Sequence, residues 1–147
     1  MKKSLLVLVL LLTFINNATA QFIQNFDAAT TTPAGWGVIN GGDTKTWNFG
    51  APGSGTAFNG TNVAKIIYTS TAAHDDYLVT PLITVVAGVN DQLSFRVCNA
   101  NSTYVEHFDV KIATTAPTNA ASFTTTIMPD TAAPNVWSKV SLALTPY

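Results

Sequence analysis

Two patterns of apolar residues divide the chain. Residues 4–15 are almost unbroken apolar, with Leu5, Leu6, Val7, Leu8, Val9, Leu10, Leu11 and Leu12 at the centre and Lys2-Lys3 before them. Ala18-Thr19-Ala20 then supplies the small-x-small arrangement that a signal peptidase accepts, so residues 1–20 read as a cleaved signal peptide and Gln21 as the new N-terminus. A membrane anchor needs about 20 consecutive apolar residues, and Asn16-Asn17 break this run well short of that. The expected setting is outside the cytoplasm, secreted or at the cell surface, with no membrane insertion after cleavage.

Past residue 20 the period becomes two. Leu93, Phe95 and Val97 alternate with Ser94 and Arg96, and Phe108, Val110 and Ile112 alternate with Asp109 and Lys111. Each set buries one face and wets the other, as antiparallel strands do. The turn-rich connector Asn99-Ala100-Asn101-Ser102-Thr103 predicts that these two strands form a hairpin. Further strands are expected over residues 22–26, 63–69, 77–86 (bent or broken at Pro81), 123–127 and 136–144, with Gly-, Pro- and Asn-rich loops between them. No window sustains an i, i+3, i+4 apolar repeat. Closely spaced strands without helices predict an all-β sandwich or barrel in one domain, residues 21–147.

Composition sharpens this picture. With the signal removed, 147 minus 20 leaves 127 residues, enough for one core without staples. The whole chain holds 7 basic and 8 acidic residues. Lys2 and Lys3 leave with the signal, so 5 basic against 8 acidic give the mature part a net charge of −3. No basic cluster exists, which argues against nucleic acid or an anionic membrane as partner. Cys98 is the only cysteine, so no intramolecular disulfide can form, and its strand context predicts a buried small hydrophobe.

Several motifs occur in a recognisable order: Phe26-Asp27, Pro33-Ala34-Gly35-Trp36, Trp47 after Gly42-Asp43, Asp76-Tyr77-Leu78-Val79-Thr80-Pro81-Leu82-Ile83, Leu93-Ser94-Phe95-Arg96-Val97, Phe108-Asp109-Val110-Lys111-Ile112, and the segment from Trp137 to Leu144. Together they resemble the cleaved adhesin domains, also described as choice-of-anchor J domains, which include the haemagglutinin/adhesin regions of gingipain-type proteases. The resemblance spans nearly all of the mature chain. It implies a jelly-roll β-sandwich of antiparallel strands related to MAM domains, in a bacterial secreted or surface protein. Family members usually continue past the position of Tyr147 with further strands, so the expected jelly roll is incomplete at the C-terminus. The resemblance also implies a structural Ca²⁺, for which Asp27 and Asp76 are the candidate ligands. Calcium wants several oxygen donors at once, and in the family others would come from the closing strand.

Catalytic chemistry finds little support. His74-Asp75-Asp76 and Glu106-His107 contain both histidines, yet no zinc-binding motif or cysteine partner accompanies them. Both are expected as surface or loop histidines. No Gly-x-Ser-x-Gly occurs, Glu106 is the single glutamate, and no P-loop lysine follows Gly41-Gly42 or Gly53-Ser54-Gly55. No catalytic residue and no enzyme activity are therefore expected. Among the aromatics, Trp36 and Trp47 read as core or loop anchors. Tyr104, beside Asn101-Ser102-Thr103, is the candidate exposed ligand-binding aromatic. Asn59-Gly60-Thr61 and Asn101-Ser102-Thr103 match the glycosylation sequon and read as exposed loops. The expected function is non-catalytic binding of a host or matrix protein or glycan. The alternative is a carbohydrate-binding or accessory module of a secreted hydrolase or peptidase.

Overall fold

A computed structural model describes residues 22–70 and 73–147; the expected signal peptide lies outside the described residues. Among the described residues the strands are β1 (Gly37–Ile39), β2 (Asn48–Gly50), β3 (Val63–Lys65), β4 (Tyr77–Val79), β5 (Gln92–Val97), β6 (His107–Ile112), β7 (Thr125–Ala132) and β8 (Ser138–Ala143), with one 3-10 turn at Ala120–Ser122. The fold is all-β and antiparallel. It is assembled from ladders β1–β4, β2–β3, β5–β8 and β6–β7, small sheets consistent with a sandwich but not joined into two continuous layers.

The strongest alternation in the sequence yields the longest regular ladder. β5 and β8 pair in unbroken register from Gln92–Ala143 to Val97–Ser138, and both alternate strictly between exposed and half-buried positions. β6 pairs β7 with register shifts between Phe108 and Lys111. Pro129 lies on β7, where a residue with no N–H is tolerated at an irregularity. Next to it Asp130 has φ +39°, and its N–H donates to Asp109 Oδ1 at 2.7 Å. The carboxylate thus supplies an acceptor where the ladder is interrupted.

The expected hairpin of residues 93–97 with 108–112 does not form: β5 pairs β8 and β6 pairs β7. Both strands were placed correctly by their periodicity, and their partners were not. The connector runs beside the β7–β8 link, with Asn99 N–H donating to Pro134 O at 2.6 Å and Ala133 N–H to Glu106 O at 2.7 Å. It carries the chain from one ladder to the other. Phe95 of β5 and Phe108 of β6 then meet edge to face, centroids 6.1 Å apart, joining the two ladders through side chains rather than hydrogen bonds.

Other boundaries differ for local reasons. Residues 22–26 form no strand: Gln24 Oε1 accepts from Phe26 N–H at 3.0 Å, Asn25 Oδ1 from Asp27 N–H at 3.2 Å, and Phe26 takes φ +59°. Side-chain acceptors there compete with a ladder. β4 stops at Val79, ahead of Thr80-Pro81, because proline cannot donate to a partner strand. Cys98 lies just past the end of β5 and is half-buried, less enclosed than expected.

Among the described residues the buried core is Phe49 of β2, 9% exposed. Around it runs an aromatic chain in which Phe26 lies 5.7 Å from Phe49 and 5.0 Å from Trp36, with Phe22 5.9 Å from Trp36. A second aromatic contact stacks Tyr77 of β4 on Phe123 at 4.8 Å. Trp137 Nε1 donates to Thr56 O at 2.9 Å across 81 residues, and Arg96 sits 3.9 Å over the Phe58 ring, so the loop after β2 is tied to the β5–β8 ladder.

Candidate functional site

Tyr104 is 66% exposed, as the polar sequence around it predicts. Its loop is ordered by two successive Asx turns: Asn101 N–H donates to Asn99 Oδ1 at 3.1 Å, and Thr103 N–H to Asn101 Oδ1 at 2.8 Å. The Asn99 side-chain amide also donates to the Tyr104 carbonyl. This holds the tyrosine against Tyr68, itself 70% exposed and just beyond β3. The rings are nearly parallel, 10° apart with centroids 6.4 Å apart. Val105 beside it is 67% exposed, and Asn101, Ser102 and Thr103 are exposed as well. Two ordered aromatic faces with polar neighbours offer stacking and hydrogen-bonding groups together.

A second constellation was not expected from the sequence. Asp43, from the loop before β2, and His74 and Asp76, from the segment entering β4, bring ligand atoms within 4.8 Å of one another. His74 Nδ1 lies 2.7 Å from Asp43 Oδ2 and 3.4 Å from Asp76 Oδ2. Backbone geometry creates the meeting. Gly41 packs so tightly on the Asp75 carbonyl that a Cβ there would overlap it. Gly41 N–H donates to Asp76 Oδ1 at 3.4 Å, Lys45 N–H to Asp43 Oδ1 at 2.5 Å, and Trp47 Nε1 to the Asp76 carbonyl at 3.3 Å. The sequence signal, visible only afterwards, is an aspartate in a Gly-Gly turn pointing toward a His-Asp-Asp run thirty residues on.

The remaining expected residues are dispersed. Asp27 is not part of that cluster, and its Oδ1 is buried without a hydrogen-bond partner, against Gly60, where a Cβ would collide with the carboxylate. Asp76 stands with His74 and Asp43 instead, so the structure does not bring the two candidate calcium ligands into one cluster of three or more. His107 is exposed and hydrogen-bonded through Nδ1 to Asp130 Oδ1 at 2.7 Å. The sequons at residues 59–61 and 101–103 are exposed. A shallow depression of about 350 Å³ against residues 24–34 is lined by Gln, Asn, Phe, Ala, Thr and Pro side chains, none of them titratable.

Two loop carboxylates are held below the ordinary range by hydrogen bonds to their charged form. For Asp91 the chief donor is Gly88 N–H, joined by Thr145 Oγ1; for Asp109 it is Asp130 N–H, joined by Lys111. Lys111 is raised in turn, mainly by its hydrogen bond to Asp109. Asp91 also ties the chain together, since Leu144 N–H donates to its carbonyl at 2.6 Å.

The family model described as Cleaved Adhesin Domain matches residues 20–143. The chain belongs to the cleaved adhesin domain family. No curated protein and no solved structure matches it. Membership assigns this domain an adhesin-type role toward external molecules and a family setting that is extracellular or at the surface. Among the described residues no helix is long and apolar enough to cross a membrane.

Proposed function

We propose that this cleaved adhesin domain is exported through its N-terminal signal peptide and acts as a non-catalytic binding domain for a host or matrix protein or glycan. The stacked, exposed pair Tyr68 and Tyr104 is its anchor. That pair is the observation that carries the reading: large rings left in water by a domain this short of core residues are available to a partner at little conformational cost. Asn101, Ser102 and Thr103 supply the adjacent hydrogen-bonding groups.

Calcium support of the fold is part of this reading. The orphaned Asp27 Oδ1 beside Gly60 fits one hard oxygen ligand of such an ion. Bound there, Ca²⁺ would hold the segment entering β1 against the loop before β3.

Purified chain applied to a glycan array and to immobilised matrix proteins tests the function. Tyr104→Ala and Tyr68→Ala are each expected to weaken binding by about tenfold or more, the cost of losing a central aromatic anchor. Unchanged binding in both variants, or no binding by folded wild type, overturns the proposal.

A further inference from the structure

The geometry points to Asp43, His74 and Asp76 as a binding site for a divalent transition-metal ion of the zinc class, distinct in chemistry from the calcium expected at Asp27. The inference stands apart from the adhesin reading, because it rests on donor atoms that the Tyr68–Tyr104 surface does not use.

Three observations converge. First, both carboxylates are out of water: the Asp76 side chain is 1% exposed and that of Asp43 7%. Two buried negative charges are costly unless something positive compensates them. Among the described residues the basic group facing both is the single His74 imidazole, one group against two carboxylates, and no lysine or arginine forms an ion pair with either.

Second, the inward-facing atoms are unsatisfied. Asp43 Oδ2, Asp76 Oδ2 and both ring nitrogens of His74 have no hydrogen-bond partner among the described residues, whereas each carboxylate's Oδ1 is engaged by a backbone N–H. The 2.7 Å approach of His74 Nδ1 to Asp43 Oδ2 lacks the direction of a hydrogen bond, although His107 and Asp130 make one at that same separation.

Third, the spacing suits one small ion. With metal–ligand bonds of about 2.0–2.2 Å, tetrahedral ligands lie about 3.4 Å apart. The His74–Asp76 separation of 3.4 Å already matches this, all three donors fall within 4.8 Å, and seating the ion requires the 2.7 Å gap between His74 and Asp43 to open by about 0.7 Å.

The donor set decides the metal class. An imidazole nitrogen with two carboxylates suits zinc and its neighbours, while calcium takes six to eight oxygens. The ion would staple the loop before β2 to the segment entering β4. In a chain whose only cysteine is Cys98, such a cross-link takes the place a disulfide has in other exported domains.

Calorimetric titration of the metal-free full chain with ZnCl2 tests this. One ion per chain is expected. At about a hundredfold excess over Kd, thermal unfolding should shift upward by roughly 10 °C. His74→Gln should weaken Zn²⁺ binding at least about tenfold and Asp130→Asn should leave it unchanged. Because His74→Gln can disturb its own loop, the wild-type imidazole NMR signals give an independent readout: Zn²⁺ should shift those of His74 and not those of His107. Absence of Zn²⁺ binding, an unmoved His74 signal, or Ca²⁺ occupying the same site with equal affinity overturns the inference.

Discussion

Phe49→Ala is the sharpest probe of how this fold is held. With 9% of its surface exposed, Phe49 is the one buried hydrophobe among the described residues. A phenylalanine in that setting removes on the order of 200 Å² from water. At about 25 cal/mol/Å² this is roughly 5 kcal/mol, an upper figure because the unfolded chain already hides part of that area. Alanine keeps only the Cβ, and measured Phe→Ala costs in cores run about 3–5 kcal/mol. Neighbours such as Phe26 and Trp36 are half-buried and have room to relax, which favours the low end, about 3 kcal/mol. Against a typical total of about 5–15 kcal/mol the loss is large. In urea, with a slope near 2 kcal/mol/M, the unfolding midpoint should fall by about 1.5 M. Ile23→Ala, at a position 75% exposed, serves as the control and should move it by less than about 0.3 M. A Phe49→Ala shift no larger than the control's would refute the claim that the ring cluster around β2 is the core.

Two further perturbations follow from the carboxylates. Asp91 and Asp109 bind protons less readily when folded than the unfolded value of about 3.9, so the unfolded chain holds more protons and stability rises with pH. Their contribution is complete above that value and is lost as pH falls through the lowered folded values; Asp109→Asn should flatten the dependence of the unfolding midpoint on pH below about 4. For Asp27, added Ca²⁺ is expected to raise the Tm of the wild type and to leave that of Asp27→Asn unmoved, whereas an equal rise in both would remove Asp27 from the calcium site.

Local periodicity determined a good deal of this molecule. Alternation alone located β5, β6 and β8 to within a residue or two, because a two-residue period admits one assignment of inner and outer faces. Motif order was enough to identify the family now matched over residues 20–143. The exposure of Tyr104 was legible too, since a run of Asn, Ser and Thr has nothing to bury.

What the sequence left open was partnership across distance. The three-residue strands β1 and β2 carry glycine and no alternation long enough to read, and they exist only because β4 and β3 pair with them. The choice of β8 over β6 as the partner of β5 belongs to the tertiary fold, since side-chain pattern fixes which face is buried but not which neighbour completes the ladder. The same holds for the Asp43–His74–Asp76 cluster. Each residue reads as an ordinary loop group, and only the close packing of Gly41 on Asp75 brings their unsatisfied atoms face to face.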